Sequence, residues 1–216
     1  MILFPYGGTM KKELQSQGKR EKHIDYDVTS HIRDVNGHEI FKNNRLTSQF
    51  LSNYTGIQML AGVRPEDIED VTERYHAFLG SEFESDTIKK VCLHQADGMP
   101  GREIYVISLI EHKSAVDYDV AMQLFRYMSV IWYDYRMEQN KKKKDANRRK
   151  AFRYPLIIPF VYYEGKEKWT ADLHLKDRIE FAEEMSEYIP DFQYHVVSVQ
   201  QYTNEELSKK ETRWLL

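Results

Sequence analysis

The chain has 216 residues, of which 41% are hydrophobic and 30% are charged, and its formal net charge is −3. These values are typical of a soluble globular protein that is long enough to bury a core. The single cysteine, Cys92, excludes an internal disulfide, as expected in a reducing cytosol. No apolar run approaches the roughly 20 residues of a membrane span, and the amino terminus lacks the basic start of a signal peptide. We therefore expect a cytoplasmic protein.

The first third of the chain divides into an arm and a helical part. Residues 1–25 are polar and lysine-rich, which predicts a flexible amino-terminal arm. From Ile40 onward apolar residues recur at roughly helical spacing, and Asn43-Asn44 indicates a break between two short helices. Pro65-Glu66-Asp67 is typical of the first turn of a further helix, which we expect to run on to Tyr75.

A β-hairpin is predicted next, because two β-compatible runs, residues 87–94 and 104–113, flank a segment rich in turn residues. Residues two apart on a strand project to the same face, so Glu111 and Lys113 project together from the end of the second strand. In an antiparallel pair, the start of the first strand and the end of the second lie at the same edge. Asp86 is therefore expected near Glu111 and Lys113.

The second half of the chain alternates between helix and strand patterns. Residues 118–139 have the apolar spacing of a long helix, and residues 155–163 form an apolar run typical of a strand buried on both faces. The two prolines of that run predict a bulge or an edge position. Residues 177–188 predict a short amphipathic helix, and residues 192–199 alternate like a last strand. This order predicts an α/β fold with a mixed central sheet flanked by helices on both faces.

The predicted edge carries a candidate site for metal-dependent chemistry. Two converging carboxylates, Asp86 and Glu111, can hold a hard divalent cation such as Mg²⁺ or Mn²⁺. Such an ion acidifies a water and neutralises charge at a scissile phosphate, and Lys113 can position that water or stabilise the transition state. The spacing taken alone favours a simpler alternative, an ion pair at the end of a strand, since loose matches of this kind are common.

Longer stretches of the chain resemble a known family. Glu84-Ser85-Asp86 before one strand, Leu109-Ile110-Glu111-His112-Lys113 at the end of another, and Leu124-Phe125-Arg126-Tyr127-Met128 in the next helix are similar to the Rpn family of recombination-promoting nucleases. The run 155–163, followed by Gly165 and Trp169, resembles that family's Tyr-x-Gly-x-x-x-Trp signature. The resemblance spans about residues 26–200 and implies a restriction-endonuclease-like PD-(D/E)xK core.

The same resemblance implies an activity and assigns residues to it. It implies a metal-dependent DNA endonuclease in a bacterial recombination, mobile-element or genome-maintenance setting. Asp86 and Glu111 match the two metal carboxylates, and Lys113 matches the position after the spacer. Many family members carry glutamine at the last of these positions, whereas lysine is the more general choice of the superfamily.

Two further candidates come from helices. Gln123-x-x-x-Tyr127 resembles a motif of RecB-like nucleases, and residues four apart share a helix face. We expect Gln123 to be an accessory catalytic residue; the alternative is that Tyr127 packs in the core and Gln123 faces solvent. Glu39 is the candidate for an acid that completes the site from the first helix, and the alternative for it is an ordinary surface carboxylate.

Residues 141–153 carry eight basic side chains against one acid, Asp145. A functional interpretation is a contact with the DNA phosphate backbone beside the cleft, giving salt-dependent and sequence-independent affinity. The alternative is a solvated loop, as most lysine runs are. No spacing typical of a helix-turn-helix or zinc finger supports base-specific readout. The candidate DNA-binding residues are Lys141, Lys142, Lys143, Lys144, Arg148 and Arg149.

The sequence thus predicts an arm (1–25), a nuclease-like domain (26–200) and the start of a carboxy-terminal helix (201–216) that is consistent with a truncated element. The favoured function is an Mg²⁺- or Mn²⁺-dependent deoxyribonuclease whose partner is DNA, with a homo-oligomer left open. The alternatives are a catalytically inactive DNA-binding or protein-interaction module on the same fold, or an inhibitor or toxin-like partner protein.

Overall fold

A computed structural model describes residues 37–79, 86–94, 100–111 and 116–198. Within these ranges a five-stranded sheet is covered by helices on both faces, which confirms the predicted α/β class with a mixed sheet. The predicted amino-terminal arm, the predicted helix start at 201–216 and the candidate residue Lys113 lie outside the described residues. So does the side chain of Glu111, whose backbone is part of a strand.

The sheet has the order β1-β2-β3-β4-β5, and the pairing of its strands changes from antiparallel to parallel at β3. The β1–β2 and β2–β3 pairs are antiparallel, and the β3–β4 and β4–β5 pairs are parallel. The carboxyl ends of β3, β4 and β5 therefore lie at the edge where β2 begins. The strands are β1 (Ile68–Asp70), β2 (Thr87–His94), β3 (Pro100–Glu111), β4 (Ile157–Tyr163) and β5 (His195–Val197).

Two short helices, α1 (Gly37–Lys42) and α2 (Asn44–Asn53), cover one face of the sheet. The side-chain oxygen of Asn43 accepts hydrogen bonds from the backbone N–H groups of Arg45 (2.9 Å) and Leu46 (3.4 Å). This N-cap starts α2 and confirms the predicted break. Phe50 is fully buried and packs edge-on against Phe160, with ring centroids 6.1 Å apart.

The helix predicted to start at Pro65 is interrupted. Pro65–Asp67 forms a single 3₁₀ turn, β1 follows at once, and helix α3 (Thr72–Leu79) begins only after it. Ile68 pairs with Val91 of β2, so strand pairing along the sheet edge overrides the local helical preference. The prediction of one continuous helix was wrong for this reason.

The long helix α4 (Val120–Lys142) covers the other face of the sheet and confirms the predicted helix, ending three residues beyond the predicted end. Its buried side packs on apolar side chains of β3 and β4, where hydrophobic burial contributes roughly 1.5–3 kcal/mol for each large side chain. The buried residues of α4 are Val120, Ala121, Leu124, Tyr127, Met128 and Ile131.

Strand β4 is buried along its whole length, as predicted, but it is neither an edge strand nor bulged. The N–H of Tyr105 donates to the carbonyl of Leu156 (2.9 Å), so the nitrogen of Pro159 faces β5 rather than β3. Strand β5 pairs with β4 only from Phe160 onward. The proline therefore costs no ladder hydrogen bond, which is why it is tolerated in a central strand.

The amphipathic helix predicted at 177–188 is absent. Two 3₁₀ turns, Leu175–Arg178 and Ser186–Tyr188, flank an irregular stretch in which Phe181 has a φ of 60°. A left-handed residue interrupts a right-handed helix, and Phe181 and Met185 are exposed rather than packed. The last strand is present as β5, inside the predicted range and shorter than it.

The buried lysine of β2 generates a stability prediction. The Lys89 side chain is 1% exposed and its Nζ lies 2.6 Å from Oδ2 of Asp70, which is half exposed. Partial burial opposes ionisation of Asp70, but hydrogen bonds from Lys89 and Thr72 outweigh it and lower the pKa of the carboxyl. We expect Asp70→Asn to destabilise the protein by about 2 to 3 kcal/mol, because it leaves a buried ammonium without its ion-pair partner.

The matched control is Glu69→Gln on the same strand, whose exposed carboxylate lies 3.7 Å from Lys90 and should change stability by less than about 0.5 kcal/mol. Because the pKa of Asp70 is lowered on folding, its contribution is present at neutral pH and is lost as the pH falls through that lowered value. Urea denaturation at several pH values should thus show the Asp70→Asn deficit shrinking in acid. Equal effects of the two substitutions would contradict the ion-pair account.

Candidate functional site

Asp86 immediately precedes β2 and is 4% exposed. Its Oδ2 accepts hydrogen bonds from the Tyr127 hydroxyl (2.7 Å) and from Nε2 of Gln123 (3.3 Å). Both donors lie on the first half of α4, one helical turn apart, and they reach across to the start of the strand. The structure therefore brings three of the residues singled out in the sequence together, and Gln123 is half-buried and bonded rather than fully solvated.

The Tyr127 hydroxyl is a permanent hydrogen-bond donor in this arrangement. Burial, followed by the negative charge of Asp86 and the hydrogen bond to it, raises the pKa of Tyr127 far above its usual value. A tyrosine is already protonated at physiological pH, and the raised pKa extends that state to still higher pH. Its role toward Asp86 is to hold the carboxylate in place, and it is unsuited to act as a base.

Strand register places Glu111 on the same side of the sheet as Asp86. Ile107 and Tyr105 belong to the cluster that packs under α4, and Glu111 occupies a position of the same parity at the end of β3. The pairing of Thr87 with Ser108 places the start of β2 close to that end. The backbone thus allows the convergence that the sequence predicts, while Lys113 lies outside the described residues.

Contacts at the end of the neighbouring strand, β4, explain why the Tyr-x-Gly-x-x-x-Trp signature has these residues. Tyr163 is the register partner of Glu111 and is fully buried. Its ring lies over Gly165, where an added Cβ would come within 2.1 Å of the ring carbon Cζ and the hydroxyl. Trp169 packs edge-on against the same ring at 5.1 Å between centroids. The glycine is required because only a hydrogen leaves room for the tyrosine.

Two hydroxyls at this edge were missed by sequence reasoning. The hydroxyl of Tyr163 and Oγ of Ser198 are buried, and neither has a hydrogen-bond partner among the residues that the structure describes. Ser198 directly follows β5, whose Val197 pairs with Tyr162, so it lies beside Tyr163 along the row of strand ends. The glycine signature singles out Tyr163 in the sequence, whereas a lone serine after a short strand carries no recognisable signal.

Glu39 is not part of this arrangement. It is exposed on α1, in the helix layer that covers the sheet face opposite to α4. Its position fits the alternative, an ordinary surface carboxylate.

The basic segment also lies away from Asp86. The four lysines Lys141–Lys144 end α4 and start the following turn, and all four are exposed. At 1.5 Å rise per residue, Lys143 lies roughly 30 Å along the helix from Gln123. The position beside the cleft that the sequence suggested is therefore not observed. Lys142 pairs with Glu138 at 2.7 Å and Arg148 with Asp145 at 3.7 Å, while Arg149 is exposed.

The donor set at the edge fits a hard divalent cation. Oδ2 of Asp86 is oriented by a hydroxyl and an amide, neither of which carries a positive charge. Mg²⁺ is commonly bound through one or two carboxylates together with water and substrate phosphates, so Asp86 and Glu111 would suffice. In the part of the chain that the structure describes, no cluster of three or more His, Cys, Asp or Glu side chains could hold a metal by itself.

The crowded glycine generates a second stability prediction. Gly165→Ala should destabilise the protein by about 1 to 3 kcal/mol, because the methyl group must displace a buried ring that Trp169 holds in place. Gly62→Ala is the control, since an added Cβ there meets nothing within 4 Å and the change should be neutral or stabilising by up to about 1 kcal/mol. Urea midpoints measure both effects. Indistinguishable midpoints would show that the ring moves freely.

Comparison with known proteins identifies a family. The model of a family described as "Putative transposase, YhgA-like" matches residues 38–216. No curated protein and no solved structure matches the chain.

Among the described helices, none is long and apolar enough to cross a membrane. The five-stranded mixed sheet with helices on both faces is compatible with a restriction-endonuclease-like core, and because the family match covers most of the chain, the protein belongs to the YhgA-like transposase family.

Proposed function

We propose that this protein is a metal-dependent DNA endonuclease that hydrolyses phosphodiester bonds in a mobile-element or recombination setting. The observation that carries the proposal is the buried Asp86 carboxylate, fixed by two neutral donors of α4 at the edge where β3 ends in Glu111. Membership in a family described as transposases supports DNA as the substrate.

Asp86 and Glu111 would hold Mg²⁺ or Mn²⁺. The ion supplies Lewis-acid stabilisation of the charge that develops on the phosphate and lowers the pKa of a water. Tyr127 and Gln123 keep Oδ2 of Asp86 in one orientation, as hydrogen-bonding groups behind metal ligands commonly do. Lys113 positions the attacking water or stabilises the negative charge of the transition state.

The basic segment supplies affinity for the substrate in this proposal. Lysine and arginine side chains bind phosphates without reading bases, so the six candidates at the end of α4 and in the turn after it would hold DNA irrespective of its sequence. Such binding weakens steeply with salt because it releases counterions.

A second candidate function is a catalytically inactive DNA-binding or protein-interaction module on the same fold. It is favoured by the position of Glu39, which is exposed on the opposite face. Glu39, the one candidate for a third carboxylate that the sequence offered, therefore does not contribute to the site. The two candidates differ in whether phosphodiester bonds are broken.

Plasmid nicking separates these candidates. We expect supercoiled DNA to be nicked with Mg²⁺ or Mn²⁺ and left intact with EDTA. Asp86→Asn should lower the rate roughly 100-fold or more and Tyr127→Phe about 10- to 100-fold, since one removes a metal ligand and the other its orienting donor. Lys113→Ala should also abolish cleavage.

The control is Asp119→Asn, an exposed carboxylate just before α4, which should leave nicking unchanged. Cleavage that persists at the normal rate in Asp86→Asn or Lys113→Ala would refute the assigned site. Absence of nicking in the unmodified protein, with salt-sensitive DNA binding retained, would favour the inactive module.

Metal binding can be measured without any activity. Saturating Mn²⁺ should raise the melting temperature of the unmodified protein, because a ligand that binds only the folded state stabilises it. The Mn²⁺-induced shift should vanish in Asp86→Asn and persist in Asp119→Asn. Equal shifts in the two variants would place the ion elsewhere.

A further inference from the structure

The exposed flank of α4 connects the Asp86 site with the basic segment. Residues spaced three or four apart lie on one side of a helix. Beginning at Gln123, which contacts Asp86, this spacing traces a ridge that runs to the end of the helix, and Asp134, four residues after Val130, borders it. The ridge consists of Gln123, Arg126, Val130, Tyr133, Met137 and Lys141, and its members Arg126, Tyr133, Met137 and Lys141 are exposed.

The acidic residues of α4 border the ridge on its side toward α3, where both pair with cations. Asp134 lies 2.6 Å from the guanidinium of Arg74 and accepts the Tyr75 hydroxyl at 3.2 Å, and Glu138 pairs with Lys142 at 2.7 Å. These pairs with Arg74 and Lys142 offset the negative charge that the two carboxylates place beside the ridge. Asp119, just before the helix, forms only an exposed pair with Arg126 at 3.5 Å, which is worth little in water.

An arginine packs against the aromatic residue of the ridge. The guanidinium of Arg136 lies over the ring of Tyr133, with 4.9 Å between its central carbon and the ring centroid. A guanidinium held against an aromatic ring adds a positive charge at a fixed place beside the ridge.

The length of the ridge sets a scale for that ligand. The 20 residue steps from Gln123 to Lys143, which lies two residues beyond the last ridge residue, span roughly 30 Å at 1.5 Å per step. Duplex DNA rises 3.4 Å per base pair on each strand, so this span corresponds to roughly nine base pairs. A duplex stays nearly straight over such a distance, since its persistence length is about 150 base pairs.

We infer that the ridge of α4 is a track for the backbone of double-stranded DNA, which brings the basic segment onto phosphates roughly nine base pairs from the bond cut at Asp86. This inference rests on the proposed function. Single-stranded nucleic acid is a poorer fit, because it is usually bound by rows of stacking aromatic rings, and Tyr133 is the one aromatic residue on the ridge.

The test is the dependence of cleavage on duplex length. Blunt, end-labelled duplexes of mixed sequence, from about 8 to about 36 base pairs, are incubated with the full chain and Mg²⁺. We expect the rate per base pair to fall roughly tenfold or more once the duplex is shorter than the track. In longer duplexes, cuts should be depleted within about nine base pairs of one end of each strand, because the track extends from the cut in one direction only.

The double variant Lys141→Gln/Lys144→Gln should remove this length preference and lower the rate on long duplexes to that on short ones. Its control is Lys42→Gln/Arg45→Gln, which neutralises two exposed cations on α1 and α2, over the opposite face of the sheet. In anisotropy titrations with Ca²⁺ in place of Mg²⁺, the slope of log affinity against log salt should fall by up to about 1.8 in the first variant and stay unchanged in the control.

Three results would overturn the inference: length-independent cleavage, equal behaviour of the two double variants, or equal affinity for single-stranded and double-stranded DNA of one length. Failure of the proposed nuclease is distinguishable, because it would abolish cleavage at every length. The binding titrations with 8- and 24-base-pair duplexes would then still decide whether the track exists.

Discussion

The hydrogen bonds to the Asp86 carboxylate are the constraint on which this architecture depends. A carboxylate that is 4% exposed is costly to bury unless its oxygens are bonded. Two of its donors, Gln123 and Tyr127, lie on α4, so their hydrogen bonds fix the start of β2 relative to the first half of that helix. The same bonds keep Asp86 in one orientation, which lowers the cost of binding a ligand there.

Sheet topology determines what else meets at this place. Because β2 runs against β3 while β4 and β5 run with it, three strands end where one begins. Ligand sites in sheets with parallel strands commonly lie at such carboxyl edges. Here the edge collects Asp86, Glu111, Tyr163 and Ser198, and two of these carry buried hydroxyls for which the described part of the chain provides no partner. Polar groups left in that state are typical of sites that hold ligands rather than of packed cores.

Long periodic or apolar segments were predictable from sequence, because burial dictates their pattern: α4, the β2–β3 hairpin and β4 are where they were expected. The failures have physical causes of their own. At Ile68 strand pairing overrode a local helix signal, and at Phe181 a left-handed residue left apolar side chains exposed. The spacing of α4 placed Gln123 on the same helix face as Tyr127. It could not give the distance between Gln123 and Lys143, because that distance depends on how far α4 extends. The contact of the Tyr163 ring with Gly165 could not be predicted from the sequence either, because it depends on where the folded chain places that ring.

The central claim is that Asp86 and Glu111 converge on one divalent cation. A crystal structure of the full chain soaked in Mn²⁺, with anomalous diffraction to locate the ion, tests it most directly. The account predicts an anomalous peak about 2.1–2.2 Å from a carboxylate oxygen of each residue, with the two carboxyl groups within about 5 Å of one another. It also predicts that Tyr127 and Gln123 still donate to Asp86. A Glu111 carboxylate turned away from Asp86, or an ion bound elsewhere while this edge stays empty, would contradict it.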